Sequence, residues 1–151
     1  MRAIRMKQTG YTMQQIHYDR NGIHPTFEAD MSIHKKNKEL VINLINELNG
    51  VKKEREKMEP FISDESLITL FLFLDNLFPG NRLLIDELTA EGSRVILRLR
   101  LQGSHEGWNK NIPAVKEIEF LMVLGFGIMQ GKIFSHWLIA DQAKLMEQLE
   151  N

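Results

Sequence analysis

The pattern of apolar and polar positions changes once along the chain. From His34 to about Leu77 apolar residues recur at helical spacing. This part predicts one helix that starts near His34 and stops at Asn49-Gly50, a short charged helix between 51 and 59, and a third helix. The third helix would be capped by Ser63 or Asp64 and has almost no polar face, so we expect it to be covered nearly all round.

After Phe78-Pro79-Gly80 the period becomes two, which predicts an antiparallel meander. The four strands span about 83–88, 94–102, 116–128 and 132–140. Glu91-Gly92 and Gln130-Gly131 supply hairpin turns, and Asp141 offers the N-cap of a short closing helix. The chain is therefore predicted to be α+β, with helices first and the sheet second.

The third predicted strand, 116–128, is apolar on both of its faces, unlike the strand before it. In the strand from Arg94, apolar residues alternate with Arg98 and Arg100, whereas in the next strand Leu121 and Val123 are apolar on the face that should be polar. A sheet covered on both sides usually packs against a core on one side and a partner on the other. We therefore predict a homodimer through the outer sheet face.

Composition narrows the class of protein. The 151 residues, 43% of them hydrophobic, suit one core, which we place at 33–151 behind an irregular arm at 1–32. A net charge of −1 gives no field for nucleic acid or an anionic membrane. The absence of cysteine excludes disulfides, thiolate nucleophiles and cysteine-ligated zinc, and the absence of a long apolar run predicts a cytoplasmic protein.

Several short segments, in order, resemble one family. They are Leu88-Thr89-Ala90-Glu91-Gly92-Ser93-Arg94-Val95, Gly103-Ser104-His105-Glu106-Gly107 with Ile112-Pro113, and Gly131-Lys132-Ile133 leading to His136-Trp137, Asp141 and Gln148-Leu149. Together they resemble the SnoaL-like polyketide cyclases and ester cyclases of the nuclear transport factor 2 superfamily. The resemblance implies helices packed on a strongly curved antiparallel sheet, which form a cone with an internal ligand pocket.

The resemblance supports the family's fold for this chain more strongly than it supports the family's activity. True cyclases of the family close a ring by an intramolecular aldol reaction without metal or cofactor. Their acid/base aspartate lies two residues after the histidine that is His136 in this chain, where this sequence has Leu138, which cannot exchange a proton. A histidine of the preceding strand is replaced by Leu124.

Two histidines are the candidate acid/base groups. His105 would end the second strand on its apolar face, and His136 alternates with Phe134 and Leu138, which points all three inward. His105 is equally well explained as a strand-end histidine bonded to backbone, and His136 at least as well as a core histidine with its hydrogen bonds satisfied. Without a carboxylate to orient them or a third ligand, the pair predicts neither a metal nor a cofactor.

The apolar residues that point inward are predicted to line the pocket, and Trp108 is expected to cover the mouth of that pocket. Trp137 points to the opposite face, and the N-cap role explains Asp141. The residues expected to contact the ligand are Leu99, Leu101, Trp108, Met122, Leu124, Phe126, Phe134 and Leu138.

Two functions stay open. Leu138 favours a domain that binds a small hydrophobic molecule without proven catalysis. The alternative is a cofactor-free cyclase, isomerase or hydrolase that uses His105 and His136 as acid and base.

Overall fold

The computed structural model describes residues 18–19, 22–23, 25–106 and 115–150. Its helices are α1 (Pro25–Leu48), α2 (Arg55–Met58), α3 (Glu65–Leu77) and α4 (Gln142–Glu150). Its strands are β1 (Tyr18–Asp19), β2 (Gly22–Ile23), β3 (Arg82–Glu91), β4 (Arg94–Glu106), β5 (Val115–Met129) and β6 (Lys132–Ala140). The predicted order of helices, four-stranded meander and closing helix is confirmed.

The helix ends follow the capping residues. Gly50, with a φ of +70°, follows α1, and its N–H donates to Asn81 O at 3.0 Å. Asp64 caps α3, because its Oδ1 accepts from the N–H of Ser66 at 3.0 Å. The start of α1 differs from the prediction: it lies at Pro25, a residue type that suits the first helical turn, so part of the predicted irregular arm is helical.

The main sheet is antiparallel with the order β3-β4-β5-β6, and β1 pairs separately with β2. Gln130 (φ +52°) and Gly131 (φ +75°) both lie in the left-handed region, as a two-residue hairpin of the primed type requires. This turn fixes the register between β5 and β6, in which Phe126 lies opposite His136 and Leu124 opposite Leu138. The predicted turn at 130–131 is confirmed.

The inner face of the sheet and the helices form one apolar core. The odd positions of β4 from Val95 to Leu101 and the even positions of β5 from Ile118 to Ile128 all point inward and are buried. They join α1, α2 and α3 through Val41, Leu44, Ile45, Leu48, Met58, Leu67, Ile68 and Phe71. Phe73 on α3 is 56% exposed, so the prediction that this helix is covered nearly all round is wrong within the described chain.

The outer face of the sheet is divided into a charged part and an apolar part. Arg98 pairs with Glu87, and Arg100 contacts Asp86 at 3.0 Å and Glu119 at 3.4 Å, which confirms the predicted polar face of β4. The apolar part lies toward β6. Its exposed residues are Ile96, Leu121, Phe134, Trp137 and Ile139.

Within the apolar part, Trp137 lies across the bare backbone of β5. It is the cross-strand neighbour of Gly125, and a Cβ added at Gly125 would lie only 2.0 Å from Cε2 of the indole. Glycine is therefore needed at this position to admit the ring.

A bulge at Phe134 changes which face of β6 its residues occupy. Ile128 pairs with Ile133 and Gly127 with Ser135, so Phe134 is an extra residue. Its ring lies 3.1 Å from where a Cβ of Gly127 would be, on the outer face. The prediction that Phe134 points inward with His136 is therefore wrong, since strict alternation does not survive the bulge.

Helix α4 covers the part of β5 that β6 does not reach. The pairing with β6 spans only 122–129 of β5. Gln148 Oε1 accepts from the N–H of Glu119 at 2.9 Å, and its Nε2 donates to Glu119 O at 2.8 Å. At the other end of α4, Asp141 Oδ1 accepts from the N–H of Lys144 at 2.9 Å, which confirms the predicted N-cap.

Candidate functional site

The segment just before α3 lies alongside β6, next to His136. The N–H of Ile133 donates to Phe61 O at 2.9 Å, and its carbonyl oxygen accepts from the N–H groups of Ser63 at 2.9 Å and Asp64 at 3.2 Å. These bonds join the N-terminus of α3 to the sheet edge. They fix the position of the Asp64 side chain through backbone contacts.

Asp64 and His136 form a short, mostly buried side-chain pair. Asp64 Oδ2 lies 2.7 Å from His136 Nδ1, and the two side chains keep only 12% and 15% of their surface exposed. The other carboxylate oxygen, Oδ1, accepts from both the N–H and the hydroxyl of Ser66, at 3.0 and 2.6 Å. One oxygen therefore caps the helix while the other holds the imidazole.

The electrostatics of the pair determine where its protons lie. Burial by itself would raise the pKa of Asp64, but the hydrogen bonds from His136 and Ser66 outweigh it and hold that pKa below its ordinary value. An ionised carboxylate is only an acceptor, so His136 donates from Nδ1. In the neutral imidazole, the lone pair is then on Nε2.

The surroundings of His136 combine a buried apolar surface with an accessible rim. Phe126 and Leu124, opposite on β5, are 2% and 0% exposed. Leu138, which follows His136 on the same face of β6, is 37% exposed. Nε2 of His136 has no hydrogen-bond partner among the described residues. Nε2 is therefore the imidazole nitrogen that is left for a further contact.

His105 lies apart from this pair, at the far end of β4. Its Nδ1 is 3.1 Å from Leu77 O, and its ring packs edge-on against Phe78 with 5.7 Å between the centroids. The residue is 8% exposed. These contacts fit the interpretation of His105 as a buried strand-end histidine with a backbone partner, and a catalytic role stays a prediction.

The other residues predicted to contact a ligand occupy three kinds of place. Leu99, Leu101 and Met122 are at most 1% exposed and belong to the core, so their contact with a ligand stays a prediction. Trp108 lies outside the described residues. Trp137 is on the outer face of the sheet, whereas His136 is on the inner face, as predicted.

Two grooves open on the surface of the described chain. One, of about 320 Å³, lies over Gly125 and Gly127 between Arg94 and Trp137, and reaches Phe126 and His136. The other, of about 660 Å³, is polar and is lined by Arg82, Gln102, Glu117 and Gln148, among others. Neither is the enclosed apolar pocket that the family resemblance implies, and that pocket stays a prediction.

Metal-binding clusters and membrane-spanning helices are both absent from the described ranges. In these ranges no cluster of three or more histidine, aspartate or glutamate side chains could hold a metal ion. No helix among the same residues is long and apolar enough to cross a membrane.

Sequence reasoning missed that Asp64 is the partner of His136. The two residues are 72 positions apart, and the sequence predicted Asp64 only as one of two candidate N-caps of α3. The available signal was the direct succession of Ser63 and Asp64, because only one of them is needed as a cap. The carboxylate orienter that appeared to be lacking is therefore present.

Comparisons with known proteins agree with this architecture. The family model of the SnoaL-like polyketide cyclases matches residues 48–149. Comparison with curated proteins gives no significant match.

Solved structures show the same fold at low sequence identity. A proposed SnoaL-like polyketide cyclase from Jannaschia is 22% identical, with a TM-score of 0.63 over 78% of this chain and 93% of its own. IdmH, a proposed polyketide cyclase from Streptomyces antibioticus, is 17% identical, with a TM-score of 0.65 over 76% and 99%. AclR, a proposed hydroxylase from Streptomyces galilaeus, is 18% identical, with a TM-score of 0.65 over 78% and 82%. Because the family model covers about two thirds of the sequence, the chain belongs to the SnoaL-like polyketide cyclase family.

Proposed function

We propose that this domain binds a small hydrophobic organic molecule that carries a hydroxyl or carbonyl group, with His136 as its polar contact. The observation that carries the proposal is the accessible rim beside His136. The inward residues of β4 and β5 are buried, whereas Leu138 on β6 is 37% exposed and His136 keeps 15% of its side-chain surface. A ligand that covers Leu138 would gain apolar contact and meet one fixed hydrogen-bonding group.

The chemistry of His136 limits which polar group the ligand carries. With Nδ1 committed to Asp64, the neutral imidazole accepts a hydrogen bond at Nε2, so it favours a phenol, an enol or another hydroxyl. The imidazolium form donates from Nε2 and favours a carbonyl. Both groups occur in an enolisable ketone and its enol, which makes such compounds the class that we propose.

A titration tests binding. The full chain, labelled with ¹⁵N, is mixed with 2-naphthol or 2-tetralone, and the backbone amides are followed by NMR. We expect chemical-shift changes at Phe126, His136 and Leu138, and at least fivefold weaker binding in Leu138→Asn.

Ile42→Asn is the matched control, because Ile42 has the same 37% exposure as Leu138 but lies on α1 and not on β6. It should bind both probes as the wild type does. Equal weakening by both variants, or no shift at any of the three amides, would contradict the proposed site.

The second candidate function is a cofactor-free cyclase, isomerase or hydrolase that uses His136 and His105 as its acid/base groups. The carboxylate contact of His136 favours it, because an orienting partner is what an imidazole base requires. His105 stays a candidate acid/base group, although its contacts with Leu77 and Phe78 do not themselves support a catalytic role.

We also propose that two copies of the chain associate through the apolar part of the outer sheet face. Exposed Ile96 on β4 and Trp137 on β6 flank Gly125 of β5, and exposed Ile139 lies two residues beyond Trp137, an arrangement more typical of an interface than of a solvated surface. Sedimentation equilibrium should give a dimer for the wild type and a monomer for Ile139→Lys. A wild type that stays monomeric at high micromolar concentration would rule the dimer out.

A further inference from the structure

We propose that His136 and Asp64 act together as a proton-transfer pair, in which His136 is the catalytic base and Asp64 is a positioning residue. The inference rests on the proposed function, since it requires a ligand beside His136. It gives His136 a carboxylate partner in Asp64, and it makes His136 the base in a chain that has Leu138 at the position of the family's acid/base aspartate.

The two carboxylate oxygens of Asp64 bind different partners, which supports a role for this residue beyond capping. The cap needs only Oδ1, which accepts both bonds from Ser66. Oδ2 contacts His136 Nδ1 at 2.7 Å, although an asparagine or a serine would cap α3 equally well without this contact. A carboxylate is the group that fixes the Nδ1–H tautomer, and it also stabilises the imidazolium that forms when the base takes up a proton.

The position of the pair suits proton transfer as well. The two side chains are 12% and 15% exposed, so little water competes for their hydrogen bond. The backbone bonds of Ser63 and Asp64 to Ile133 hold the carboxylate in place independently of the imidazole. The base is therefore oriented before a ligand arrives, which lowers the cost of reaching the reactive geometry.

The reaction that this arrangement supports is an enolisation. Nε2 of His136 removes a proton from the carbon next to a ligand carbonyl; the C–H bond breaks, an N–H bond forms, and the electron pair of the C–H bond becomes the enolate. The imidazolium then returns the proton to the enolate, at the same carbon, at oxygen or at a conjugated carbon. Atoms and charge balance without a co-reactant, so the class of reaction is the tautomerisation or isomerisation of a hydrophobic ketone.

Proton exchange on 2-tetralone tests the inference directly. Deuterium uptake at the carbon next to the ketone is followed by ¹H NMR in D₂O, over a range of ketone concentrations. We expect the full chain to exchange at least tenfold faster than buffer, and Asp64→Asn to lower the maximal rate about 10–100-fold while the concentration for half-maximal rate stays within twofold, as expected when the imidazole is turned to the wrong tautomer.

Asp64→Asn is suited to this test because asparagine caps a helix as well as aspartate does, so the fold should survive. Glu65→Gln is the control, since it neutralises the next carboxylate along α3, which pairs with Arg55 at 2.8 Å and not with His136. It should retain the wild-type exchange rate.

A second readout needs no ligand. Long-range ¹H–¹⁵N correlation spectra report which imidazole nitrogen carries the proton, and we expect Nδ1–H for His136 in the wild type and Nε2–H in Asp64→Asn. An Nε2–H tautomer in the wild type would overturn the inference, and so would unchanged exchange in Asp64→Asn.

The two proposals fail in different ways. If 2-tetralone shifts the amides of β6 but exchanges no faster than in buffer, the proton-transfer pair is refuted and the binding function stands. If neither 2-tetralone nor 2-naphthol binds, the proposed function fails and the inference fails with it.

Discussion

The contact between Trp137 and Gly125 leads to a quantitative prediction for Gly125→Ala. The added Cβ would lie 2.0 Å from Cε2 and 2.2 Å from Nε1 of the indole, so the ring must leave its place on β5. Trp137 is 47% exposed, so about half of its surface is buried. Half of the roughly 250 Å² of a tryptophan, at about 25 cal/mol per Å², is about 3 kcal/mol.

That value is an upper limit, because the ring can settle elsewhere on the surface and alanine is favoured over glycine in a strand by about 0.5–1 kcal/mol. We expect Gly125→Ala to lower the free energy of unfolding by about 1–2 kcal/mol. Urea denaturation followed by far-ultraviolet circular dichroism measures this change.

A double-mutant cycle separates the steric effect from others. In a Trp137→Ala background the obstacle is gone, so Gly125→Ala should be neutral or slightly stabilising, and the coupling energy should be about 1 kcal/mol or more. If Gly125→Ala costs the same in both backgrounds, the indole is not what requires glycine and the reasoning is wrong.

Three further predictions concern Leu138 on β6, the buried Lys53 and the helix cap Asp64. Leu138→Asp restores the carboxylate of the family's cyclases beside His136 and should raise deuterium exchange on 2-tetralone about tenfold or more, whereas Leu138→Asn should not; equal rates in both would show that position 138 does not face the ligand. Burial, which outweighs the attraction of Asp75, lowers the pKa of Lys53 to about 8 from an ordinary value of 10.5, so the folded chain loses this proton first as the pH rises. The free energy of unfolding should therefore increase by about 1 kcal/mol per pH unit between about 8 and 10, relative to Lys53→Met, and parallel pH profiles would exclude the effect. Asp64→Ala should destabilise the fold by about 1 kcal/mol in thermal unfolding while Asp64→Asn stays close to the wild type; a large loss in Asp64→Asn would mean that the bond to His136, more than the cap, holds α3 in place.

The local elements were predictable because short segments encode them. Strand β6 has the bounds Lys132–Ala140 that were expected, since Gln130-Gly131 supplies the turn before it and Asp141 the cap after it. The alternation in β4 likewise predicted its buried face from Val95 to Leu101. Backbone preferences and a period of two operate over a few residues, so the sequence carries them directly.

The features that were missed depend on contacts between distant segments or on a break in the period. The bulge at Phe134 inserts one residue and moves that ring to the outer face, which alternation cannot foresee. The start of α1 at Pro25 lies in a stretch without helical periodicity. For the candidate site, His136 was predictable from its place on β6, whereas Asp64 required the bonds between Ile133 and the segment before α3.

Through Gln148, helix α4 takes the place beside β5 that a fifth strand of the main sheet would occupy. A carboxamide is the one side-chain group that offers a donor and an acceptor side by side, as a peptide unit does, and it occupies both bonding groups of Glu119. An uncovered strand edge is a template on which other chains can add and aggregate. Substitution by glutamate would keep the size of the side chain but lose its donor, and so uncover the carbonyl of Glu119. One amide on a surface helix thus occupies a peptide position of the strand edge that β6 is too short to cover, where another chain would otherwise find open bonding groups.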